Sequence, residues 1–385
     1  MILISGGGGL TRWNPTLRRV PGTKAYSLVR FGDFTVEGTH MRRVFGGILV
    51  VLGALFIGFG FLAKPYIFNS LAIVPLDQDS TSVSQGENVA VLWPHVVDGK
   101  GTIDKLVGVK VISTRHVVGI PGVVKEAGLE DTDAFWQTTV KSQAENNGEL
   151  VDLSYSNAGV SLDRRTGLST NCCGDFVSTG NLDDPTSQEP IQHQGLVFKF
   201  PFGVEQKSYD WWDGDLKRAE PIEFQGEEEL FGTKVYVFKQ TIAPEAVGSA
   251  PAPASLFKDG ATGNVTATQM YGNTRTLWVE PVTGVLIKGD EQVNKVLEAP
   301  GYSPVARTVG TIGFDEATVK KNAEEWGAKA SLLSFIDNWL TLVGLALGVL
   351  LVLVGAWLIL WKRPIDSAPA RRVSLEKDGR SPQRA

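Results

Sequence analysis

Two cysteines stand side by side in the stretch STNCCGDF, Cys172 next to Cys173, and they are the only thiols in the chain. A metal site, a nucleophile and a disulfide are the three chemistries open to such a pair. A tetrahedral metal site takes four ligands and an adjacent pair supplies at most two, while the four histidines, His40, His95, His116 and His193, show no ligand spacing. A nucleophile needs a base within reach, and the sequence identifies none. Joined to each other, the two sulfurs close an eight-membered ring across Cα atoms about 3.8 Å apart, a tight turn that the following Gly174 suits. In an oxidising compartment the reading is a vicinal disulfide, with a reduced or intermolecular pair as the alternative.

A second cluster, SYDWWDGD, sets Tyr209, Asp210, Trp211, Trp212 and Asp213 in a row. A flat indole packs on the apolar face of a sugar while carboxylates accept its hydroxyls, which makes these five the candidate ligand-binding residues. In a strand Trp211 and Trp212 point to opposite faces, so at most one serves a given ligand. The structural alternative puts one tryptophan in the core and lets Asp-Gly begin a turn. Asp210 and Asp213 do not follow the spacing of a calcium loop. A Gly-x-Ser-x-Gly elbow, His-Glu-x-x-His and a phosphate-cradling glycine loop are all absent from the sequence. No catalytic residue, cofactor or metal ligand is therefore assigned, and the expectation is a protein that is not an enzyme.

Two apolar runs decide where these residues sit. Val44 to Ala63 is a run of 20 residues without a charge, which as a helix at about 1.5 Å per residue crosses one hydrocarbon core. Leu340 to Trp361 is a second, with Trp339, Trp357 and Trp361 near its ends, where indole favours the headgroup layer. Residues 1–43 carry a net +5 and residues 362–385 a net +4, which leaves −14 for the segment between the spans of a chain whose total is −5. Basic flanks stay in the cytoplasm, so the expectation is a plasma-membrane protein with both termini inside and the acidic middle outside. A cleaved signal peptide is the competing reading of the first run, but no clean small-x-small site follows it. No ionisable group lies within either span. The pairs Ala54-x-x-x-Gly58 and Gly344-x-x-x-Gly348 each place two small residues on one helix face, for packing within the chain or in a homo-oligomer.

The expected organisation is α+β. A disordered cytoplasmic extension (1–43, with Met41 as a natural start) precedes a first transmembrane helix (44–63) and a β-rich extracytoplasmic domain (64–314). A stalk helix (315–339), a second transmembrane helix (340–361) and a basic tail (362–385) follow. In the tail, Arg371-Arg372-Val373-Ser374 offers Ser374 to a basophilic kinase. Segments such as NVAVLWP, KVYVFKQ and TRTLWVEP, short, β-branched and aromatic, read as strands. DTDAFWQTTVKSQAEN reads equally as strand or helix, and residues 243–264, rich in Pro and Gly, read as a long surface loop. Asp163 to Gly167 and Glu280 to Gly284 share a turn pattern that ends on Gly and read as hairpin loops. Asp315 is placed to cap the stalk helix.

Taken together, MRRVFGGILVVLGALFIGFGFL, VPLDQDSTS, FKFPFGVEQKSYDWWD, GTKVYVFKQ and WVEPVTGVLIKG resemble the actinobacterial porin PorA family over about Met41 to Arg363. The resemblance implies an envelope protein of a mycolic-acid-containing actinobacterium, with a role in maturation of lipomannan and lipoarabinomannan. It implies no agreed catalytic residues, and none are carried over. The functional expectation is a non-enzymatic, twice-anchored protein whose domain binds a lipid or lipoglycan and supports envelope glycosyltransferases. A glycan-active enzyme with carboxylates beside Trp211 or Trp212 is one alternative. A porin or channel component is the other, and it requires oligomers, because two apolar helices cannot line an aqueous pore. Nucleic acid is excluded as a partner, since the acidic domain repels phosphate.

Overall fold

The computed structural model describes residues 34–62, 66, 69–178 and 187–361, so Ser374 lies outside the described residues. The segment expected to be disordered up to residue 43 is helical from Phe34, in a single helix α1 (Phe34–Leu62). A nucleated helix adds turns at little cost, and the apolar span supplies the nucleus. The polypeptide divides into two compact units, residues 1–53 with 350–385 and residues 54–349.

In the first unit α1 meets the later half of a second apolar helix, α3 (Thr341–Leu360), at glycines. A Cβ on Gly46 would lie 2.7 Å from the Gly355 carbonyl oxygen, and one on Gly355 2.6 Å from that of Gly46. Backbones approach this closely only where neither residue has a side chain. Arg42 donates from Nε to the Leu358 carbonyl at 3.1 Å and from Nη2 to that of Trp361, satisfying carbonyls that the helix end leaves unpaired. In the second unit the same device recurs, where a Cβ on Gly344 would lie 3.2 Å from the Gly60 Cα. Two helices, His40–Leu62 and Thr341–Leu360, are long and apolar enough to cross a membrane.

The rest of the second unit is one antiparallel sheet. Its strands are β1 Asp79–Val97, β2 Lys100–Gly119, β3 Asp133–Asn146, β4 Glu149–Asp163, β5 Phe176–Ser178, β6 Glu189–Pro190, β7 Tyr209–Asp213, β8 Arg218–Leu230, β9 Thr233–Pro253, β10 Asn264–Val279, β11 Leu286–Glu298 and β12 Val305–Phe314. The order β6-β5-β4-β3-β2-β1-β12-β11-β10-β9-β8-β7 runs through sequence neighbours except in the middle, where the first and last strands pair. The outer strands are also linked: Leu162 bridges Ser169, Leu168 bridges Leu196, and Leu196 bridges Trp211 of β7. One end of the sheet is thereby tied back on itself around an inner face.

Two elements left open or misassigned by sequence become strand. DTDAFWQTTVKSQAEN is β3, paired on both sides, because its β-branched and aromatic residues fit a pleated surface. The first half of the predicted loop 243–264 is β9, whose paired region with β10 extends to Pro253. Beyond Lys239 no β8 residue pairs with β9, so its prolines lie on an edge where the missing N–H costs no ladder bond.

A strap, residues 196–204 (LVFKFPFGV), fills the tied end. Phe200 is fully buried with Trp211, Ile222, Phe238 and Leu277, while Phe198 and Phe202 pack against Val117, Trp136 and Leu162 of the other half. One short segment thus supplies core to both halves of the sheet. On the outer side the stalk helix α2 (Glu316–Ser334) lays Val319 and Ala323 on Val235 and Ile287. Its cap is Asp315, which accepts from the Thr318 amide at 2.8 Å.

Candidate functional site

Strand register fixes what shares the inner face. Leu277 stands opposite Phe238 and Gly289, and two residues further along the strands Arg275 stands opposite Gln240 and Glu291. In the other half Val117 stands opposite Thr138, and Arg115 opposite Val140. A polar layer therefore sits one step beyond the aromatic layer of the strap.

Arg275 is its centre. It donates from Nε to Glu291 at 2.8 Å, from Nη1 to Gln240 Oε1 at 2.6 Å and from Nη2 to Asp213 Oδ2 at 3.2 Å. Tyr271 donates its hydroxyl to the same Asp213 oxygen at 2.7 Å, and Asn273 donates Nδ2 to Glu291 at 3.0 Å. Asp213, Gln240, Tyr271 and Asn273 are buried. Burial opposes ionisation of Glu291, but the Arg275 charge and the donated hydrogen bonds hold its carboxyl down to about 2. Burial also disfavours charge on Arg275, and Glu291 and Asp213 outweigh it and raise the group. Burial and the Asp213 carboxylate push the Tyr271 phenol up, so it stays a donor. Arg115 faces the cluster electrostatically, and burial lowers its guanidinium against the pull of Glu291.

The strap carries a second buried cation. Lys199 is 5% exposed, its Nζ lies 3.8 Å from the centre of the Phe202 ring, and among the described residues that nitrogen has no hydrogen-bond partner. Burial pulls the amine down to about 7, against the attraction of Glu280. Burial raises Glu280 in turn, against hydrogen bonds from Thr283 and Val282. Those bonds are part of a repeated turn. Asp163 accepts from the amides two and three residues on, Asp213 does the same, and Glu280 does so with its two oxygens. The fifth residue of each, Gly167, Lys217 or Gly284, has positive φ. Gly284 presses on the strap: a Cβ there would lie 2.2 Å from the Phe200 carbonyl.

The residues singled out by sequence are placed as follows. Tyr209, Trp211 and Asp213 share the inner face, with Asp210 and Trp212 on the other. Trp211 is 5% and Trp212 7% exposed, stacked against Phe200 at 5.2 Å and set edge-on to His193 at 4.9 Å. Neither offers a free ring to a sugar, because the strap and the 190s segment have taken both faces. Tyr209 packs on Phe200 and Phe238, and Asp210 is exposed. Cys172 and Cys173 are bonded to each other, with Cα atoms 3.7 Å apart. Their turn is held by Asn171, which exchanges hydrogen bonds with the His193 backbone at 2.9 and 2.7 Å, while His193 Nδ1 lies 2.8 Å from Asp175. Gly344 and Gly348 are buried, but Ala54 is exposed and Gly58 meets open space. Within the chain α1 meets the second span at Gly46 and Gly60, with Gly53 buried between them, so the pair at Ala54 and Gly58 does not serve packing inside the chain. No group of histidine, cysteine or carboxylate residues among the described residues has metal-binding geometry.

Arg275, Gln240, Tyr271 and Lys199, all buried, and the more open Glu291 and Arg115 carry the polar chemistry of this region and were not singled out by sequence. A signal did exist: in MYGNTRTLWV, Tyr271, Asn273, Arg275 and Leu277 alternate onto one face. A charge in line with apolar residues on a strand face implies a buried partner.

Comparison with known proteins adds the remaining constraint. The family model for Porin PorA matches residues 45–357. A Porin PorA of Corynebacterium resistens is 24% identical, covering 66% of this chain and 77% of that protein, and a Porin PorA of Corynebacterium amycolatum is 26% identical, covering 66% and 78%. These relatives are named as porins and not as enzymes. The expectation of a lipoglycan-binding protein that supports biosynthetic glycosyltransferases is corrected accordingly: the matched proteins carry the name of a pore, and the aromatic cluster that motivated a glycan ligand is packed into the core. A match that begins in the first membrane helix, passes through the sheet and ends in the second makes this chain a member of the Porin PorA family.

Proposed function

We propose that the protein is a non-enzymatic, channel-forming component of the envelope that works as an assembly of several copies in the plasma membrane. The observation that carries this reading is the Porin PorA match running from one membrane helix to the other. The geometry supports a channel built between copies. Among the described residues neither apolar span from Val44 onward carries an ionisable group, and each helix already spends a glycine face on the other. One chain therefore supplies no aqueous path, and a pore has to form between copies. The face of α1 with Ala54 and Gly58 is open and small enough for a neighbouring chain. Both basic ends lie in the cytoplasm in this reading, with the acidic sheet domain outside.

The test is conductance. Full-length chain, cross-linked in detergent to retain its assemblies and reconstituted in planar bilayers, is expected to give discrete steps. Silent bilayers from preparations verified as oligomeric overturn the reading. Gly58→Leu is expected to shift the assembly toward monomers and abolish the steps. For orientation, epitope tags at both ends are expected to survive protease added outside intact spheroplasts.

A further inference from the structure

On the β1–β4 half of the inner face, hydroxyls surround a single cation. Arg115 lies opposite Ser82 and Val140, and Val140 lies opposite Ser156. One step along, Ser113 lies opposite Ser142, their hydroxyls 2.8 Å apart; one step the other way is Thr138. This half contrasts with the packed half around Arg275. Arg115 is solvent-accessible, and Ser82, Ser113, Ser142 and Ser156 are partly so. Among the described residues no hydrogen bond or ion pair engages the Arg115 guanidinium, and the buried Thr138 hydroxyl also lacks a partner. The nearest opposite charge, Glu291, is already committed through both oxygens to Arg275 and Asn273.

We propose that this part of the inner face is a binding site for a small oxyanion, a phosphate or carboxylate group, held by the Arg115 fork and the hydroxyls of Ser113 and Ser142. A guanidinium presents five N–H donors in a plane that matches such an anion two bonds at a time. Hydroxyls beside it donate without adding charge. Arg115 is open to solvent, so an anion can reach it, while the surrounding strands strengthen the electrostatic grip relative to open solvent. The site is independent of the channel reading, because its readout is binding.

Isothermal titration of the detergent-solubilised full chain with sodium phosphate, and separately with sodium acetate, tests it. Saturable binding of at least one probe is expected, weakened roughly tenfold or more in Arg115→Gln and several-fold in Arg115→Lys, which keeps the charge and loses the fork. The melting temperature of unliganded Arg115→Lys is expected to match that of the native chain, and the native chain is expected to gain stability with phosphate where Arg115→Gln does not. No saturable binding of either probe, or binding that Arg115→Gln leaves unchanged, overturns the proposal. A loss of melting temperature in Arg115→Gln with no anion-dependent shift in the native chain also overturns it and makes Arg115 a counter-charge to the Arg275 cluster.

Discussion

The aromatic layer of the strap and the polar layer beside it are built on the same strands, two residues apart, and they hold the sheet together by opposite means. At Leu277 and Phe238 the inner face closes on Phe200, and stability comes from apolar surface removed from water and from ring contacts at 4.5 to 5.2 Å. At Arg275 and Gln240 the face closes on two carboxylates, and the charges of Arg275 and Asp213, taken out of water, are tolerated because they pair with each other and Arg275 also reaches the partly exposed Glu291. The first layer depends on volume and accepts approximate substitutes. The second depends on completeness, and removing one member strands the others.

That contrast can be broken at its two centres, where effects of similar size are expected for different reasons. Arg275→Met should cost roughly 3–5 kcal/mol, because Asp213 is left buried without a cation and the partly exposed Glu291 loses its partner. Phe200→Ala should cost roughly 3–5 kcal/mol through lost transfer energy and a cavity. Denaturant titration of the solubilised full chain at several pH values separates them. Glu291 has a folded value depressed to about 2 from an ordinary 4.5, so its contribution is present above about 4.5 and lost as pH falls toward 2. The Arg275→Met deficit should therefore shrink over that fall, while the Phe200→Ala deficit should not. Parallel pH profiles would refute the assignment of different means to the two layers.

The repeated turn sharpens the comparison at the strap. Gly284→Ala should cost about 2–3 kcal/mol, since positive φ is joined by a 2.2 Å approach to the Phe200 carbonyl. Gly167→Ala shares the positive φ but meets the Lys199 carbonyl only at 3.1 Å, and should cost about 1 kcal/mol. Equal losses would mean that the strap gives way as readily as a loop. The smallest effect concerns Lys199. Its folded value lies near 7 against an ordinary 10.5, so the unfolded chain binds more protons between those values and stability rises with pH across that window. Lys199→Met should flatten the rise without destabilising the chain at pH 7, because Glu280 keeps the hydrogen bonds of its own turn.

Much of the frame was legible. The two spans, the cap at Asp315, the opposed faces of Trp211 and Trp212, and the turns at Asp163 and Glu280 follow from hydropathy, spacing and local hydrogen-bonding chemistry. The turn at Asp213-Gly214 was expected as well, but not as a third of the same type, because Lys217 stands where the others have glycine. The strand through Pro244, Pro251 and Pro253 was missed because an edge is a property of the assembled sheet. The helix contact at Gly46 and Gly60, with Gly53 buried between them, was missed because only a four-residue motif was sought.

The sequence by itself determined what is local: where a helix is long and apolar enough for a bilayer, where a carboxylate can close a turn, which strand residues share a face. Only the tertiary structure decided that Phe198, Phe200 and Phe202 divide between two halves of one sheet. It alone brought Arg115 of β2 within electrostatic reach of Glu291 on β11, across two intervening strands. The physical reason is that period and propensity act within a few residues, whereas the curl of a sheet, and therefore which charges share its interior, depends on pairings between residues hundreds of positions apart.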